Sequence, residues 1–299
     1  MNYQYRKATL TLQADQVAIH CFEPELPNGK TVLLLHGSIE NARIFFSRSG
    51  KGLAPFLASA GYTVFAADLR GKGGSVPAVH KGNKADQYDT IENEIPALIR
   101  RVMEETGHTK VILGAHSWGG VLALATLARK PELLPHISAL LCFGSKRRIG
   151  VFSLRRLWII DIIWSGLGTF CALFLGYLPA RKLKMGSDDE PGPFFLQINR
   201  WVYARRWKFY PDGSDIALTL RNMQLPPSLF LTGVNDKLLG HASDVKRLLK
   251  ESGIPEENFR LLSRRNGNLE DYDHINILTH PSAYKDHFIF AEEFLKSQA

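Results

Sequence analysis

Residues 114–120 read GAHSWGG, and this stretch constrains the fold more than any other part of the chain. It overlaps the end of the apolar run KVILGA and precedes VLALATLARK, which has the apolar spacing of a helix. A strand that turns sharply into a helix at a serine strains the backbone there and projects the hydroxyl out of the sheet. The stretch therefore predicts a strand–turn–helix unit with Ser117 as a candidate nucleophile, although Ala115 replaces the first glycine of G-x-S-x-G. The alternative is that Ser117 is an ordinary helix N-cap.

Further strands and helices alternate around this unit. TVLLLHGS at 31–38 and YTVFAADLRGKGGS at 62–75 each begin as an uncharged run, typical of a strand buried on both faces. Helical patterns occur at roughly 52–60, 91–106 and 117–129. This order predicts the α/β class, with a doubly wound, mostly parallel sheet.

In such a sheet the active site forms at the carboxyl ends of the strands, where His36-Gly37, Asp68 and Ser117 fall. The His36-Gly37 pair, the D-x-R-G-x-G-x-S run at 68–75 and the turn at Ser117 resemble the motifs of the α/β-hydrolase superfamily in order and spacing. We expect Asp68 and Arg70 to fix the loop after their strand, through an ion pair or backbone bonds, with no catalytic role.

A serine hydrolase of this kind has the chain order Ser, acid, His. Asp236 lies just past the predicted strand in PSLFLTGVNDKLL, where similar hydrolases carry the acid, and His274 lies in the loop after FRLLS at 259–263, similar to the late histidine loop of the family. The predicted triad is Ser117, Asp236 and His274. Other candidates remain for the acid and the base: Asp161, Asp244, Asp271, Asp273, His241, His280 and His287. His116 is expected to point away from the catalytic face as a structural residue.

These residue types are needed together because a serine hydroxyl is a weak nucleophile unless a base accepts its proton. Histidine, with a pKa of about 6.5, accepts that proton and returns it to the leaving group. The aspartate fixes the imidazole tautomer and stabilises its charged form. We expect the oxyanion to be bound by the backbone N–H groups of Ser38 and Trp118.

The composition fits one large soluble domain: 299 residues, 45% hydrophobic and 22% charged. Cys21, Cys142 and Cys171 are odd in number and widely spaced, which favours buried thiols over disulfides. The N-terminal segment alternates like an antiparallel hairpin and lacks an apolar signal core, so the expected location is cytoplasmic. No cofactor is predicted, and no His or Cys cluster has metal-ligand spacing.

The interval between the predicted strand at 137–143 and the strand at 228–232 is too long for one crossover helix. Residues 145–222 are therefore predicted to be a helical cap inserted in a core made of 1–144 and 223–299. The insert is rich in Trp, Phe, Arg and Lys. The family resemblance implies that such a cap covers the nucleophile and shapes the acyl or alcohol pocket, which favours an apolar substrate.

Within the insert, residues 157–178 carry a single charge, Asp161, and approach the length of about 20 residues that spans a bilayer. A crossing here would separate Ser117 from the acid and the base. We therefore predict two cap helices that meet near Gly166 and Gly168, with shallow membrane insertion as the second interpretation. The net charge of +8 agrees with peripheral membrane contact, whereas no nucleic-acid recognition module is present and no nucleic-acid binding is predicted.

The sequence thus predicts a serine hydrolase that cleaves carboxylic esters of apolar acyl or alcohol groups, small-molecule or lipid-like, through an acyl-serine intermediate. A serine nucleophile argues against the dehalogenase and epoxide hydrolase branches, which the resemblance associates with an aspartate. Thioesterase, lactonase, aminopeptidase and acyltransferase activities use the same triad and stay open, as does a catalytically silent protein that binds a membrane or a partner. The oligomeric state is left open.

Overall fold

An eight-stranded, mostly parallel sheet forms the centre of the computed structural model, which describes residues 2–298. The predicted core boundaries 1 and 299 therefore fall just outside the described residues. The strands are β1 Tyr3–Leu12, β2 Asp15–Pro24, β3 Thr31–Leu35, β4 Thr63–Asp68, β5 Val111–His116, β6 Ile137–Phe143, β7 Ser228–Gly233 and β8 Phe259–Leu262. Their order across the sheet is β1-β2-β4-β3-β5-β6-β7-β8. The hairpin of β1 and β2 is antiparallel and joins β4 antiparallel, while all later neighbours pair parallel.

Helices connect the strands and cover the sheet. They are α1 Leu53–Ser59, α2 (Gln87–Asp89, Thr90–Glu94 and Ile95–Thr106, continuous), α3 Trp118–Arg129, α4 Leu154–Leu175, α5 Gly192–Tyr203, α6 Ile216–Arg221, α7 Ala242–Ser252, α8 Asn276–Thr279 and α9 His287–Ser297. Short 3-10 turns lie at Ala42–Phe45, Pro131–His136, Glu256–Asn258, Arg264–Asn266 and Pro281–Lys285.

Both faces of the sheet are buried, as the uncharged strand runs predict. Val32 and Leu34 of β3 join an apolar cluster that contains α1 and α9 residues, whereas Leu33 and Leu35 join a second cluster that contains α2 and α3 residues. Alternate residues of one strand thus face opposite layers of helices. The predicted α/β class with a doubly wound, mostly parallel sheet is confirmed.

The connections reverse direction at β3. After β3 the chain crosses to β4 on one side, and after β4 it returns to β5 on the other side of β3. A crevice opens beyond the carboxyl ends of the strands at such a switch point, and this is where α/β sheets bind ligands. Ser38, shortly after β3, and Ser117, directly after β5, flank it.

The segment 145–222, here called the insert, contains α4, α5, α6 and two small hairpins (Tyr177–Leu178 with Glu190–Pro191, and Lys208–Phe209 with Ser214–Asp215). Its first 22 helical residues form one continuous helix, α4, whose middle part Leu157–Leu167 has π-type turns. The prediction of two helices meeting near Gly166 and Gly168 is therefore wrong. Gly168 is helical, with φ −61° and ψ −43°, and a Cβ there would lie 2.6 Å from the Phe195 ring. The glycine allows α4 to approach α5 and does not break the helix.

The three cysteines, Cys21, Cys142 and Cys171, are buried free thiols. This confirms the expectation drawn from their number and spacing.

Candidate active site

Ser117 lies at the turn between β5 and α3 in a strained backbone conformation, with φ 51° and ψ −119°. Its N–H donates to the Phe143 carbonyl at 2.8 Å, which ties the turn to the end of β6. A Cβ at Gly119 would lie 2.3 Å from the Leu35 carbonyl oxygen, so only glycine allows α3 to begin this close to β3. The local sequence thus explains why the serine hydroxyl is held at the switch point.

The structure brings Ser117, His274 and Asp236 together. The His274 Nε2 atom is 2.9 Å from Ser117 Oγ, and His274 Nδ1 is 2.5 Å from Asp236 Oδ2. Asp236 follows β7, and its other carboxylate oxygen accepts the Gly240 N–H at 2.7 Å. The carboxylate is therefore held on both sides.

The alternative acids and bases have other partners. Asp161 accepts from Tyr203 and pairs with Arg156, Asp244 binds Gly150 and Arg247, Asp271 accepts the Arg264 N–H, and Asp273 caps Ile275 and Asn276. His241, His280 and His287 bond Ser243, Ser282 and the Ile277 carbonyl. Among residues 2–298, Asp236 is the carboxylate that bonds the His274 side chain.

The electrostatics suit proton transfer from Ser117 to His274. Burial lowers the pKa of His274, and the opposing effect of Asp236 does not restore it to the ordinary value. The imidazole is therefore neutral near pH 7. Burial acts to raise the pKa of Asp236, but the His274 ring, the Gly240 N–H and Lys146 together hold it below its usual value, so Asp236 is ionised.

The loop after β3 leaves backbone donors free beside Ser117. Over the described chain, neither the Ser38 N–H nor the Trp118 N–H donates to a protein acceptor. The loop is held by its neighbours, since the Ser38 hydroxyl and the Ile39 N–H both donate to Glu190, at 2.6 and 2.8 Å. This arrangement suits binding of an oxyanion by Ser38 and Trp118.

Glu190 belongs to the insert and is fully buried, where it also pairs with Lys72 at 2.5 Å. Neither residue is predicted from the sequence to belong to the site. No local signal links Glu190 to a loop 152 residues earlier in the chain.

His116 packs against the His274 ring, so the prediction that it points away from the site is wrong, while its contacts agree with the predicted structural role. Its ring centroid is 4.8 Å from the His274 ring, and its Nε2 donates to the His274 carbonyl at 2.8 Å. Its Nδ1 is 2.7 Å from Glu40, which also accepts the Gly37 N–H. Burial acts to lower the pKa of His116, but Glu40 raises it above its ordinary value. His116 and Glu40 thus join the loop after β3 to the loop of His274, and the sequence does not predict this role of Glu40.

Asp68 and Arg70 fix the loop after β4, as expected. The Asp68 carboxylate accepts the Ala42 and Gly74 N–H groups, each at 2.8 Å. Arg70 pairs with Asp89 and with the buried Glu94. The two side chains act through separate partners and not through a shared ion pair.

A cavity of about 800 Å³ opens at Ser117 and His274. The insert supplies much of its apolar wall, with these residues from α4 and α5: Ile159, Ile160, Ile163, Trp164, Ile198 and Val202. Cationic side chains line it as well: Arg43, Lys146, Arg181 and Lys184. Within the part of the chain that the structure describes, no group of three or more His, Cys, Asp or Glu side chains has the arrangement of a metal site.

Comparison with known proteins agrees with this fold. Residues 30–141 match the family model for the alpha/beta hydrolase fold. A soluble variant of monoglyceride lipase from Saccharomyces cerevisiae superposes with a TM-score of 0.68 at 16% identity, covering 99% of this chain and 96% of that one. A thermophilic esterase from Thermogutta terrifontis superposes with a TM-score of 0.59 at 16% identity, covering 98% of each chain.

One curated sequence, sterol esterase 2 of Saccharomyces cerevisiae, is 33% identical over 95 residues. That match covers 29% of this chain and 18% of the yeast protein. The family match, the sheet order and the structural neighbours together show that the chain has the α/β-hydrolase fold.

Proposed function

We propose that this protein is a serine hydrolase that cleaves carboxylic esters of apolar acyl or alcohol groups through an acyl-serine intermediate. The observation that carries the proposal is the hydrogen-bonded chain from Ser117 Oγ through His274 to Asp236, with spacings of 2.9 and 2.5 Å. The catalytic roles follow from this geometry and from general chemistry.

In acylation, Ser117 Oγ attacks the ester carbonyl while His274 Nε2 takes its proton. Asp236 accepts the Nδ1–H hydrogen bond and stabilises the imidazolium. The carbonyl oxygen becomes an oxyanion, which receives hydrogen bonds from the Ser38 and Trp118 N–H groups. The imidazolium then gives its proton to the departing alkoxide, so an alcohol leaves and the acyl group stays on Ser117.

In deacylation, a water molecule loses a proton to His274 Nε2 and attacks the acyl carbonyl. The tetrahedral intermediate collapses, and the proton returns to Ser117 Oγ as the carboxylic acid departs. The same base and the same oxyanion donors serve both halves of the reaction.

The cavity favours an apolar substrate. In our proposal the insert acts as the predicted cap: α4 and α5 cover the crevice and present their isoleucine and tryptophan side chains to the substrate. The names of the structural and sequence relatives, a monoglyceride lipase and a sterol esterase, support lipid-like esters as the substrate class.

We place the enzyme in peripheral contact with a membrane through α4, and its cytoplasmic location stays a prediction. Helix Leu154–Leu175 is long and apolar enough to cross a bilayer, yet only 22% of its most apolar window is buried. Its outer side exposes large apolar residues: Leu154, Leu157, Trp158, Ile162, Leu167, Phe170, Leu173, Phe174 and Leu175. A crossing would separate Ser117 from His274, and the inner side of α4 lines the cavity. The helix therefore lies in the plane of the surface, where the exposed cations Arg155, Arg181, Lys182 and Lys184 meet anionic headgroups.

Hydrolysis of a 4-nitrophenyl ester series from acetyl to palmitoyl, with and without lipid, tests the activity. We expect turnover that Ser117→Ala abolishes, with a preference for longer acyl chains. Labelling by a fluorophosphonate provides a second readout that needs no substrate. A folded protein that neither turns over any ester nor labels at Ser117 contradicts the proposal and favours the silent membrane or partner binder.

A further inference from the structure

Lys146 is a buried cation in the wall of the active-site cavity. It follows the end of β6 by three residues, and the residue is 6% exposed. It lines the same cavity as Ser117 and His274. The segment leading to it packs against the triad, because a Cβ on Gly144 would lie 3.0 Å from the His274 ring and 3.6 Å from Asp236.

The ammonium of Lys146 has no hydrogen-bond or ion-pair partner among the described residues. No hydrogen bond or ion pair within 4.0 Å joins it to any of the residues 2–298. Removing an ammonium from water costs several kcal/mol unless a partner compensates it. Burial accordingly lowers the pKa of Lys146.

The negative charges of the nearby carboxylates do not explain why a lysine is buried at this position. Asp236, Asp244 and Glu40 lie near enough to act on it electrostatically. Each has a closer hydrogen-bond or ion-pair partner, however: Asp236 has His274, Asp244 has Arg247 at 3.0 Å, and Glu40 has His116 at 2.7 Å. The cation is therefore left for a group that enters the cavity.

The other charged residues that line the cavity are mostly cationic. Arg43, Arg181 and Lys184 line the cavity and form no ion pair within the described part of the chain. Glu40 is the one carboxylate among the lining residues there, and it is bound to His116 and Gly37. The cavity thus combines apolar walls with a net positive charge.

We propose that Lys146 binds an anionic group, carboxylate or phosphate, on the substrate itself, so that the preferred ester is an anionic amphiphile with an apolar chain. This rests on the proposed function and names its substrate class. The apolar side chains of α4 and α5 hold the chain, and Lys146 holds the charge by a charge-assisted hydrogen bond. Arg43, Arg181 and Lys184 attract the same group toward the cavity.

The position of Lys146 links binding to the reaction. Its charge acts against protonation of His274, the base that becomes an imidazolium in the transition state. An anionic group bound to Lys146 compensates that charge as the reaction proceeds. An anionic substrate therefore gains in kcat as well as in KM relative to a neutral one.

Binding tests the proposal without relying on turnover. Octyl phosphate, 1-octanol and inorganic phosphate are titrated into Ser117→Ala by calorimetry, and then into Ser117→Ala with Lys146→Met. We expect octyl phosphate to bind Ser117→Ala about 10-fold or more tightly than octanol, because one charge-assisted hydrogen bond contributes a difference of about this size. Adding Lys146→Met is expected to remove most of that difference. Equal binding of octanol and octyl phosphate, or an octyl phosphate affinity that Lys146→Met does not change, overturns the proposal. Inorganic phosphate that binds as tightly as octyl phosphate overturns the assignment to an amphiphile.

Turnover gives a second test. Two 4-nitrophenyl esters are compared: one has an acyl chain that ends in a free carboxylate, and in the other that terminal carboxyl is methylated. The ratio of their kcat/KM values, anionic over neutral, is expected to fall about 10-fold in Lys146→Met and to be retained in Lys146→Arg. Lys250→Met, which removes an exposed lysine of α7, is the matched control. Lys146→Gln serves as a second uncharged variant if Lys146→Met does not fold. A ratio that is unchanged in both uncharged variants overturns the proposal, while absence of all ester turnover contradicts the proposed function and leaves the binding result standing.

Discussion

The Ser38 hydroxyl donates a hydrogen bond of 2.6 Å to Glu190, a residue 152 positions later in the chain. Through this contact the insert holds the loop that carries one of the two proposed oxyanion donors. Lys72 shares the same carboxylate. The insert is therefore attached to this loop and also lines the cavity.

Glu190→Gln is expected to lower both the stability and kcat. The substitution leaves Lys72 buried without its carboxylate, which costs about 3 kcal/mol in the free energy of unfolding. It also weakens the anchor of the oxyanion loop, so kcat falls by about 10-fold or more. Urea denaturation and ester kinetics measure the two effects.

The double variant Lys72→Met with Glu190→Gln separates these effects. We expect it to recover much of the stability because no buried cation is left unpaired, while kcat stays low. A double variant with wild-type kcat contradicts the role of Glu190 as a positioning residue.

Asp236→Asn is expected to reduce kcat by roughly 1,000- to 10,000-fold while the protein stays folded, because the amide no longer stabilises the His274 imidazolium in the required tautomer. Circular dichroism and ester kinetics check both parts. Asp244→Asn is the control, since Asp244 is a buried aspartate that bonds Gly150 and Arg247 instead. Full activity in Asp236→Asn, together with loss of activity on substitution of Asp161, assigns the acid to Asp161.

The activity is expected to fall on acidification. His274 accepts the Ser117 proton only when it is neutral, and burial lowers its pKa below the ordinary value of about 6.5. The acid limb of kcat/KM for a neutral ester is therefore expected below pH 6.5. An inflection clearly above that pH shows that a different group controls the acid limb.

His287 is expected to make the fold sensitive to acid. Burial lowers its pKa to about 4, and its Nε2 donates to the Ile277 carbonyl at 2.6 Å. Since the unfolded chain binds the proton near pH 6.5 and the native protein only near pH 4, this residue reduces stability as the pH falls between those values, by about 3 kcal/mol in total. His287→Gln keeps an N–H donor without a titration, so its unfolding free energy is expected to change less over this range. Equal slopes for both proteins argue against this role.

Membrane contact is expected to depend on the outer side of α4. The rings of Phe170 and Phe174 pack together at 4.4 Å and are more than half exposed, at 57% and 66%. Replacing both by serine is expected to weaken binding to vesicles containing phosphatidylglycerol by about 10-fold or more in a sedimentation assay, because the apolar area inserted in the lipid is lost. Less protein is expected to bind to phosphatidylcholine vesicles, and less is expected to bind to the phosphatidylglycerol vesicles at high salt.

Ile289→Ser is the matched control for that experiment, since Ile289 is an exposed apolar residue on α9, outside the insert. If the control and the phenylalanine variant lose binding equally, α4 is not the membrane surface.

The local parts of this structure could be predicted from sequence because each depends on neighbouring residues. The turn at Ser117 is encoded by its small neighbours and by the strand and helix beside it. The positions of Asp236 and His274 are predicted by two buried strand runs, the polar loops after them and the resemblance of those loops to the acid and histidine loops of α/β-hydrolases. The site contacts of Glu190 and His116, by contrast, join segments far apart in the chain, and no local pattern specifies them.

The continuity of α4 shows another limit. Gly166 and Gly168 predict a break because glycine weakens a helix. At Gly168 that preference is overridden by the close packing of Phe195, which leaves no room for a side chain. Tertiary contact, and not local propensity, decides the conformation there.

One side of α4 forms the outer apolar surface and the other lines the cavity. The number of residues in the helix therefore matters as much as their types. One extra residue after Leu167 would rotate the end of the helix by about 100°. Gly168 would then no longer face Phe195, and the ring pair of Phe170 and Phe174 would turn by the same angle away from the outer side. The phase of a single helix thus keeps the outer apolar surface and the wall of the cavity on their separate sides.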